Sequence, residues 1–271
     1  MSLIQSVLHW EDKEQNLRMF EDKLRALPSG KEIVVLPEMF NTGFSMNPAK
    51  LAETMDGPTV SWMKKMSAAF RIILTGSLII EENGSYFNRL IWMLPNGQSG
   101  YYDKRHLFAY AGEHERFSAG SKRLIASVKG WKINLQVCYD LRFPVWARQS
   151  DSSMDEVGIP PSERDPKQAE YDVLIYVANW PERRNLAWKT LLQARAIENQ
   201  SYVIGVNRVG NDGNGIYHSG DSMVIDPMGE ILFTKAHDEI IHSINLEKSK
   251  LEEVRTKLPF LNDGDEFLIQ T

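Results

Sequence analysis

Cysteine, long apolar runs and clusters of positive charge are all scarce in this sequence. A single cysteine among 271 residues allows no internal disulfide. No apolar stretch approaches the ~20 residues needed to span a bilayer, and the N-terminus shows no signal region of basic and then apolar residues. We therefore expect a cytoplasmic protein that has no membrane partner and keeps its thiol reduced.

Motifs for nucleic acids, metals and phosphate-bearing cofactors are also missing. Asp and Glu number 36 against 31 Lys and Arg, which gives a net charge of -5. Because the basic residues are scattered, we expect no nucleic-acid partner. No cluster of Cys and His has metal-ligand spacing, no G-x-x-x-x-G-K-[ST] loop occurs, and the glycine-rich stretch 210–215 lacks the setting of a dinucleotide site. We expect neither a metal nor a cofactor.

What the sequence does have is an alternation of strand and helix signals along its whole length. Apolar spacing predicts a helix over Leu186–Gln200, Pro144 favours a shorter one over Val145–Ser150, and apolar runs such as Tyr202–Asn207 predict strands. The alternation favours a layered α/β fold, with one domain over the whole chain. The polar stretch 151–170 lacks apolar periodicity and predicts a surface insertion.

Three apolar runs are followed by a residue with reactive chemistry: Glu38, Lys104 and Cys138. A side chain at the end of a buried strand is held rigidly yet faces a cleft, as a nucleophile must. A carboxylate can take the thiol proton, the thiolate can attack a carbonyl carbon, and an ammonium can stabilise the resulting oxyanion. The three residues therefore predict acyl transfer. Each has a structural alternative, namely an inert buried Cys138, a Glu38 that caps a turn, and a Lys104 that neutralises a surface Asp.

The segments around these residues resemble the Glu-Lys-Cys signature of the nitrilase, or carbon-nitrogen hydrolase, superfamily. The resemblance lies in Pro-Glu38-Met-Phe, Asp-Lys104-Arg-His-Leu-Phe, Gly-Glu113-His and Cys138-Tyr-Asp-Leu-Arg-Phe-Pro. It implies a four-layer α-β-β-α sandwich that pairs into a homodimer or a larger assembly. It also implies that Glu38 is the general base, that Cys138 is the nucleophile, and that Glu113 orients Lys104. The residues alone do not distinguish Glu113 from Glu115.

Downstream motifs are similar to those of the bacterial omega-amidase branch, which deamidates 2-oxoglutaramate and related omega-amides of keto acids. These motifs are Tyr176-Val-Ala-Asn-Trp-Pro, Leu191–Gln200 and Asn207–Gly215. The similarity implies an amidohydrolase that releases ammonia from a small-molecule amide through a Cys thioester. A carbamoyl-amide hydrolase, an aliphatic amidase, a nitrile hydrolase and a catalytically silent interaction module remain alternatives.

Three residues near the nucleophile are candidates for binding the substrate. Arg142 is suited to a substrate carboxylate, because guanidinium binds carboxylate bidentately, and its alternative is a structural pairing with Asp140. Trp180 follows a predicted strand and either walls the pocket or belongs to the core. The backbone N–H of Tyr139 is the expected second donor to the oxyanion.

His106 and His114 leave a papain-like alternative open, since histidine is the usual base for a thiol. Both histidines occupy non-catalytic places in the nitrilase-like pattern, which favours Glu38 as the base.

Overall fold

The computed structural model of the protein describes residues 1–28, 30, 32–149, 169–265, 267 and 269. The surface insertion predicted at 151–170 lies outside these residues, apart from 169 and 170.

The strands of the described residues are β1 (Ser2–Gln5), β2 (Ile33–Val35), β3 (Ile73–Glu82), β4 (Ser85–Met93), β5 (Ser99–Asp103), β6 (Leu124–Val128), β7 (Trp131–Val137), β8 (Val173–Ala178), β9 (Tyr202–Asn207), β10 (Val209–Asn211), β11 (Tyr217–Ile225), β12 (Ile231–Ala236) and β13 (Ile240–Ser243). The helices are α1 (Lys13–Arg25), α2 (Pro48–Leu51), α3 (Pro58–Phe70), α4 (Glu113–Arg116), α5 (Pro144–Ala147), α6 (Asn185–Asn199) and α7 (Lys248–Lys257). Short 3-10 turns lie at Ala109–Ala111, Cys138–Arg142, Glu182–Arg184 and Phe260–Asp263.

The strands form two sheets, each with a parallel set of strands. One sheet has the order β13-β1-β2-β3-β4-β5, and the other has the order β10-β11-β9-β8-β7-β6, with β12 paired to β11. Strands β1, β2 and β3 are parallel neighbours, and so are β7, β8 and β9. Ligands of such sheets bind beyond the carboxyl ends of the parallel strands. Residues that follow β2, β7 and β8 are therefore placed to form a site.

Successive side chains of β2, in the first sheet, belong to two different apolar cores. Ile33 and Val35 of β2 belong to a cluster that includes Ile133 of β7, in the second sheet. Val34, between them, belongs to another cluster, with Phe20 of α1. Because successive side chains of a strand point to opposite faces, one face of this sheet meets the second sheet and the other face meets helices.

Helix α6 covers the outer face of the second sheet. Trp188 and Leu192 of α6 are fully buried in the cluster that contains β8 and β9. A Cβ at Gly205 of β9 would come within 2.5 Å of Leu192 and 2.7 Å of Trp188, so the close approach of helix and strand requires glycine there. Helix, sheet, sheet and helix make the four-layer α-β-β-α sandwich, as predicted.

The predicted elements differ from the observed ones mainly around α5. The helix predicted over Val145–Ser150 stops at Ala147, because Arg148 adopts extended backbone with φ -61° and ψ 133°. Helix α6 begins and ends one residue earlier than the predicted Leu186–Gln200, and β9 has the predicted bounds. No helix in the described ranges is long and apolar enough to cross a membrane.

Candidate active site

Glu38, Lys104 and Glu113 form a buried charge cluster. Glu38 lies shortly beyond β2, Lys104 directly follows β5, and Glu113 begins α4. The Nζ atom of Lys104 lies 3.0 Å from Glu38 Oε1 and 2.8 Å from Glu113 Oε2, and all three side chains are inaccessible to solvent. The structure therefore brings two carboxylates and one ammonium from three separate segments into direct contact.

Cys138 occupies a strained turn at the end of β7. Its φ is 44°, in the left-handed region that residues with a side chain seldom adopt. Cys138 opens a 3-10 turn, within which Asp140 Oδ2 accepts a hydrogen bond from the N–H of Val137 at 3.0 Å. The turn places the sulfur close enough to Glu38 for the carboxylate to raise the pKa of the thiol. The predicted nucleophile and the predicted base are thus neighbours.

Two asparagines hold the carboxylates in place. Asn88 Nδ2 donates to Glu38 Oε1 at 2.8 Å and to Glu113 Oε1 at 3.2 Å. The N–H of Asn179 donates to Glu38 Oε2 at 2.8 Å, and its Nδ2 donates to the carbonyl of the same glutamate at 2.6 Å. The N–H of Phe108 donates to Glu113 Oε2 at 2.6 Å. Because the carboxylates accept bonds from several directions, each is confined to one orientation.

The surroundings of Cys138 keep its thiol protonated in the free enzyme. Burial raises the pKa of the thiol well above its usual range, and the negative charge of Glu38 raises it further, whereas the Lys104 ammonium opposes both. Burial also raises the pKa of Glu113, against the lowering effect of Lys104. Burial lowers the pKa of Lys104, but the two carboxylates outweigh this effect and the pKa is raised. A charged ammonium therefore lies near a neutral thiol, which has to lose its proton as it attacks.

A pocket of about 560 Å³ opens onto Cys138. Tyr139, Arg142 and Trp180, the residues predicted to bind the substrate, all line it. The guanidinium of Arg142 lies 4.9 Å from the centroid of the Trp180 ring. Trp180 is 4% exposed, so it serves both the core and the pocket wall.

Asp140 and the two histidines have structural positions. His106 donates to Asp140 Oδ1 from its backbone N–H at 2.9 Å, and its ring Nδ1 lies 2.8 Å from the same oxygen. The hydroxyl of Tyr102 donates to Asp140 Oδ2 at 2.8 Å. Within the described ranges, Asp140 contacts His106 and forms no ion pair with Arg142. Neither His106 nor His114 lines the pocket. The charged group that acts most strongly on the Cys138 thiol is Glu38.

The sequence did not single out Asn88, Asn179 or most of the pocket wall. Asn179 directly follows β8, so the pattern of a polar residue at a strand end could have found it; Asn88 lies inside β4, where no local pattern marks it. The pocket wall also contains Phe44, Phe108, Tyr110, Arg183 and Arg184. Among the residues that the structure describes, no group of three His, Cys, Asp or Glu side chains is placed to hold a metal ion.

Comparison with known proteins gives matches over nearly the full length. The carbon-nitrogen hydrolase family matches residues 2–255. Omega-amidase YafV of Escherichia coli (strain K12) is 42% identical over 98% of this chain and 97% of its own. The 2-oxoglutaramate amidase of Bacillus subtilis (strain 168) is 30% identical over 97% of this chain and 96% of its own. The structure of XC1258 from Xanthomonas campestris, a CN-hydrolase superfamily protein with an arsenic adduct in its active site, has a TM-score of 0.92 and 42% identity over 99% of this chain and 98% of that one.

The fold and these full-length similarities define a hydrolase of carbon-nitrogen bonds. The chain belongs to the carbon-nitrogen hydrolase family. The predicted superfamily, the predicted amidohydrolase activity and the expected small-molecule amide substrate are thereby confirmed.

Proposed function

We propose that the protein releases ammonia from the terminal amide of short keto-dicarboxylate monoamides, such as 2-oxoglutaramate, through a thioester on Cys138. The observation that carries this proposal is the contact between Lys104 and both glutamates directly beside a thiol that lines a pocket. Two relatives that match nearly the whole chain are an omega-amidase and a 2-oxoglutaramate amidase, which supports the same substrate class.

In the first half-reaction, the thiol of Cys138 gives its proton to Glu38 while the sulfur forms a bond to the amide carbon. The carbonyl oxygen becomes an oxyanion, which the Lys104 ammonium and the N–H of Tyr139 stabilise. Each donor of this kind contributes about 3 kcal/mol to the transition state. The C–N bond then breaks as Glu38 returns the proton to the leaving nitrogen, so ammonia departs and a thioester remains.

In the second half-reaction, water replaces ammonia as the group that exchanges a proton with Glu38. Glu38 takes a proton from the water, the resulting hydroxide adds to the thioester carbon, and the sulfur leaves with the proton that Glu38 returns. The products are the free acid and the Cys138 thiol. Glu113 keeps the ammonium of Lys104 in place in both halves through its two short contacts.

The far end of the substrate is assigned to Arg142. Its guanidinium lies against the Trp180 ring at 4.9 Å, which leaves the N–H groups in the guanidinium plane for a carboxylate. This anchor favours amides that carry a carboxylate, with 2-oxoglutaramate preferred and succinamate-like acids weaker.

The test is an assay of ammonia release from keto-acid amides, simple carboxylate amides, carbamoyl compounds and nitriles. We expect the keto-acid amides to be the best substrates, and the Cys138→Ala and Cys138→Ser variants to be inactive while keeping the wild-type fold. Arg142→Ala should raise KM for carboxylate-bearing amides alone. Undiminished turnover by Cys138→Ala, or a preference for nitriles or carbamoyl compounds, contradicts the proposal.

We also propose that the enzyme is a cytoplasmic homodimer. A nucleophilic thiol has to stay reduced, which suits the cytoplasm. Leu186 and Ile197 of α6 are 78% and 55% exposed, and Val145 of α5 is 55% exposed, so these helices present apolar side chains to a partner. Light scattering should give twice the chain mass for the wild type and a lower mass for Leu186→Glu. A monomeric wild type contradicts this assembly.

A further inference from the structure

Arg184 places a second guanidinium on the wall of the same pocket. It ends the 3-10 turn that follows β8, where its N–H donates to the carbonyl of Pro181 at 3.0 Å and its own carbonyl accepts from Trp180 Nε1 at 2.8 Å. The Arg184 guanidinium lies 5.1 Å from the centroid of the Phe108 ring. The guanidiniums of Arg142 and Arg184 are therefore each held against an aromatic face of the pocket wall.

Among the residues that the structure describes, neither guanidinium is neutralised by a carboxylate. In the part of the chain that the structure describes, no carboxylate forms an ion pair with Arg142 or Arg184, and no hydrogen bond is made by either guanidinium. Burial lowers the pKa of Arg184, and the positive charges of Arg183 and Arg142 lower it further, whereas a negative charge at Cys138 opposes them. Arg184, Arg142 and Cys138 thus line one pocket.

The two carboxylates on the pocket wall are engaged elsewhere. Glu11 accepts from the hydroxyl of Ser45 at 2.7 Å and pairs with Lys50 at 3.2 Å. Asp212 accepts the N–H groups of Asn214 at 2.8 Å and of residue 216 at 2.9 Å. The described part of the chain therefore supplies no carboxylate to either guanidinium, and both are placed to bind a ligand.

A substrate carboxylate that binds Arg142 bidentately uses both of its oxygens for that residue, so a further oxygen acceptor on the same ligand would match the second guanidinium. A 2-oxo acid carries such an acceptor, because its ketone oxygen lies on the carbon next to the carboxylate. We propose that Arg184 donates to the 2-oxo oxygen of the substrate while Arg142 holds the carboxylate, which makes Arg184 the residue that selects 2-oxo amides over plain carboxylate amides. This inference rests on the proposed function and refines its substrate class.

A guanidinium held in place before binding discriminates strongly between substrates. An analogue that lacks the ketone oxygen leaves the guanidinium without a hydrogen-bond partner. The Phe108 ring and the turn bonded to Trp180 fix Arg184 before the substrate arrives, so little freedom is lost on binding. A hydrogen bond to a charged donor corresponds to roughly 10- to 100-fold in binding. We expect the wild type to prefer the 2-oxo compound over its methylene analogue by about this factor.

The test compares kcat/KM for 2-oxoglutaramate and glutaramate, which share the amide, the carboxylate and the chain length and differ only in the ketone. In Arg184→Ala, kcat/KM for 2-oxoglutaramate should fall about 10- to 100-fold, whereas glutaramate should change by less than about threefold. Arg184→Lys keeps the charge but not the planar fork and should retain part of the preference. Arg18→Ala removes the same charge from an exposed position of α1 outside the pocket and should keep the wild-type ratio of the two substrates.

A second measurement separates binding from folding. Inhibition by the two products, 2-oxoglutarate and glutarate, should show the same preference in the wild type and lose it in Arg184→Ala. Equal losses for both substrates, or a wild type without any preference, overturn the role of Arg184 and leave the proposed function standing. A wild type that hydrolyses neither amide overturns both.

Discussion

The ammonium of Lys104 contacts both carboxylate oxygens of Glu113, at 3.0 and 2.8 Å. A third contact, at 3.0 Å, goes to Glu38 Oε1. A Lys ammonium has three donors, so these contacts engage it fully and fix its position before any substrate binds. The oxyanion of the proposed reaction has to draw one of these donors away, and Glu113 keeps the ammonium from following it.

Glu113→Gln tests this division of labour, because the variant keeps the shape of the side chain and removes its charge. We expect kcat to fall about 100-fold, within the range seen when an oxyanion donor is disturbed, with KM changed by less than about threefold. Glu115→Gln is the matched control, because Glu115 is exposed two residues further along α4. Steady-state kinetics decide, and a Glu113→Gln variant as active as the control removes Glu113 from the mechanism.

Lys104→Met should expose the cost of two buried carboxylates that lack a counter-charge. Breaking one side of a buried ion pair destabilises by about 3 to 5 kcal/mol. Burial raises the pKa of Glu113 and Lys104 lowers it, so without Lys104 that folded pKa rises further above the unfolded value. A raised folded pKa gives stability that is present at low pH and is lost as pH rises through it. The variant should therefore lie closer to wild-type stability at pH 5 than at pH 8.

Urea unfolding at the two pH values measures this difference. Lys122→Met is the control, because Lys122 is exposed and its loss should leave the free energy of unfolding unchanged at both pH values. A destabilisation of Lys104→Met that does not depend on pH would mean that the carboxylates are not its cause.

Local patterns predicted the elements that form from neighbouring residues and not those that depend on distant partners. The apolar run Tyr202–Asn207 is buried along its whole length and is a strand with the predicted bounds. No element was predicted over Ile240–Ser243, which becomes β13 by pairing with β1 at the other end of the chain. Helix α7 was not predicted either. Leu251 is its one buried side chain, so its sequence lacks the repeated apolar positions that indicate a helix. The order of the four layers came from the family resemblance.

The site residues also separate into those that local patterns predicted and those that depend on distant partners. Glu38, Lys104 and Cys138 each follow an apolar run, and the structure brings all three together. Glu113 could not be chosen over Glu115 from the residues alone, because the choice depends on which side chain of a short helix turns inward. Asn88 is a polar residue inside a strand, and its importance becomes visible only when two distant carboxylates are found at its amide.

Asn88→Leu should separate the two carboxylates from the donor that they share. Leucine fills a similar volume but removes one of the two donors to each of these oxygens, which keep their contact with Lys104. A hydrogen bond to a charged group contributes about 1.5 to 3 kcal/mol. We expect kcat to fall about 10- to 100-fold in steady-state assays, because the base and the ammonium lose their fixed separation.

Asn134→Leu is the matched control for this change. Asn134 is also a buried strand asparagine, and neither polar atom of its amide has a hydrogen-bond partner among the described residues. Its replacement should leave kcat within about twofold of the wild type and the stability unchanged or higher. Equal effects of the two substitutions would reduce Asn88 to a packing residue.

Glu38→Gln should make the Cys138 thiol more acidic and yet reduce turnover. Burial raises the pKa of Cys138, and the negative charge of Glu38 raises it further. Removing the carboxylate charge therefore lowers the pKa of the thiol, and more thiolate forms at a given pH. Ammonia release should nevertheless fall by about 100-fold or more, because no group remains to take the thiol proton and return it to the leaving nitrogen.

The thiolate can be titrated by its ultraviolet absorbance near ~240 nm, and because the chain has a single cysteine the signal belongs to Cys138 alone. Subtracting the spectrum of Cys138→Ala at each pH removes the contribution of ionising tyrosines. The wild-type midpoint should lie well above ~8.5, and the midpoint of Glu38→Gln should lie below that of the wild type. A midpoint that does not move would mean that Glu38 is not beside the sulfur, and a variant that keeps its turnover would mean that another group is the base.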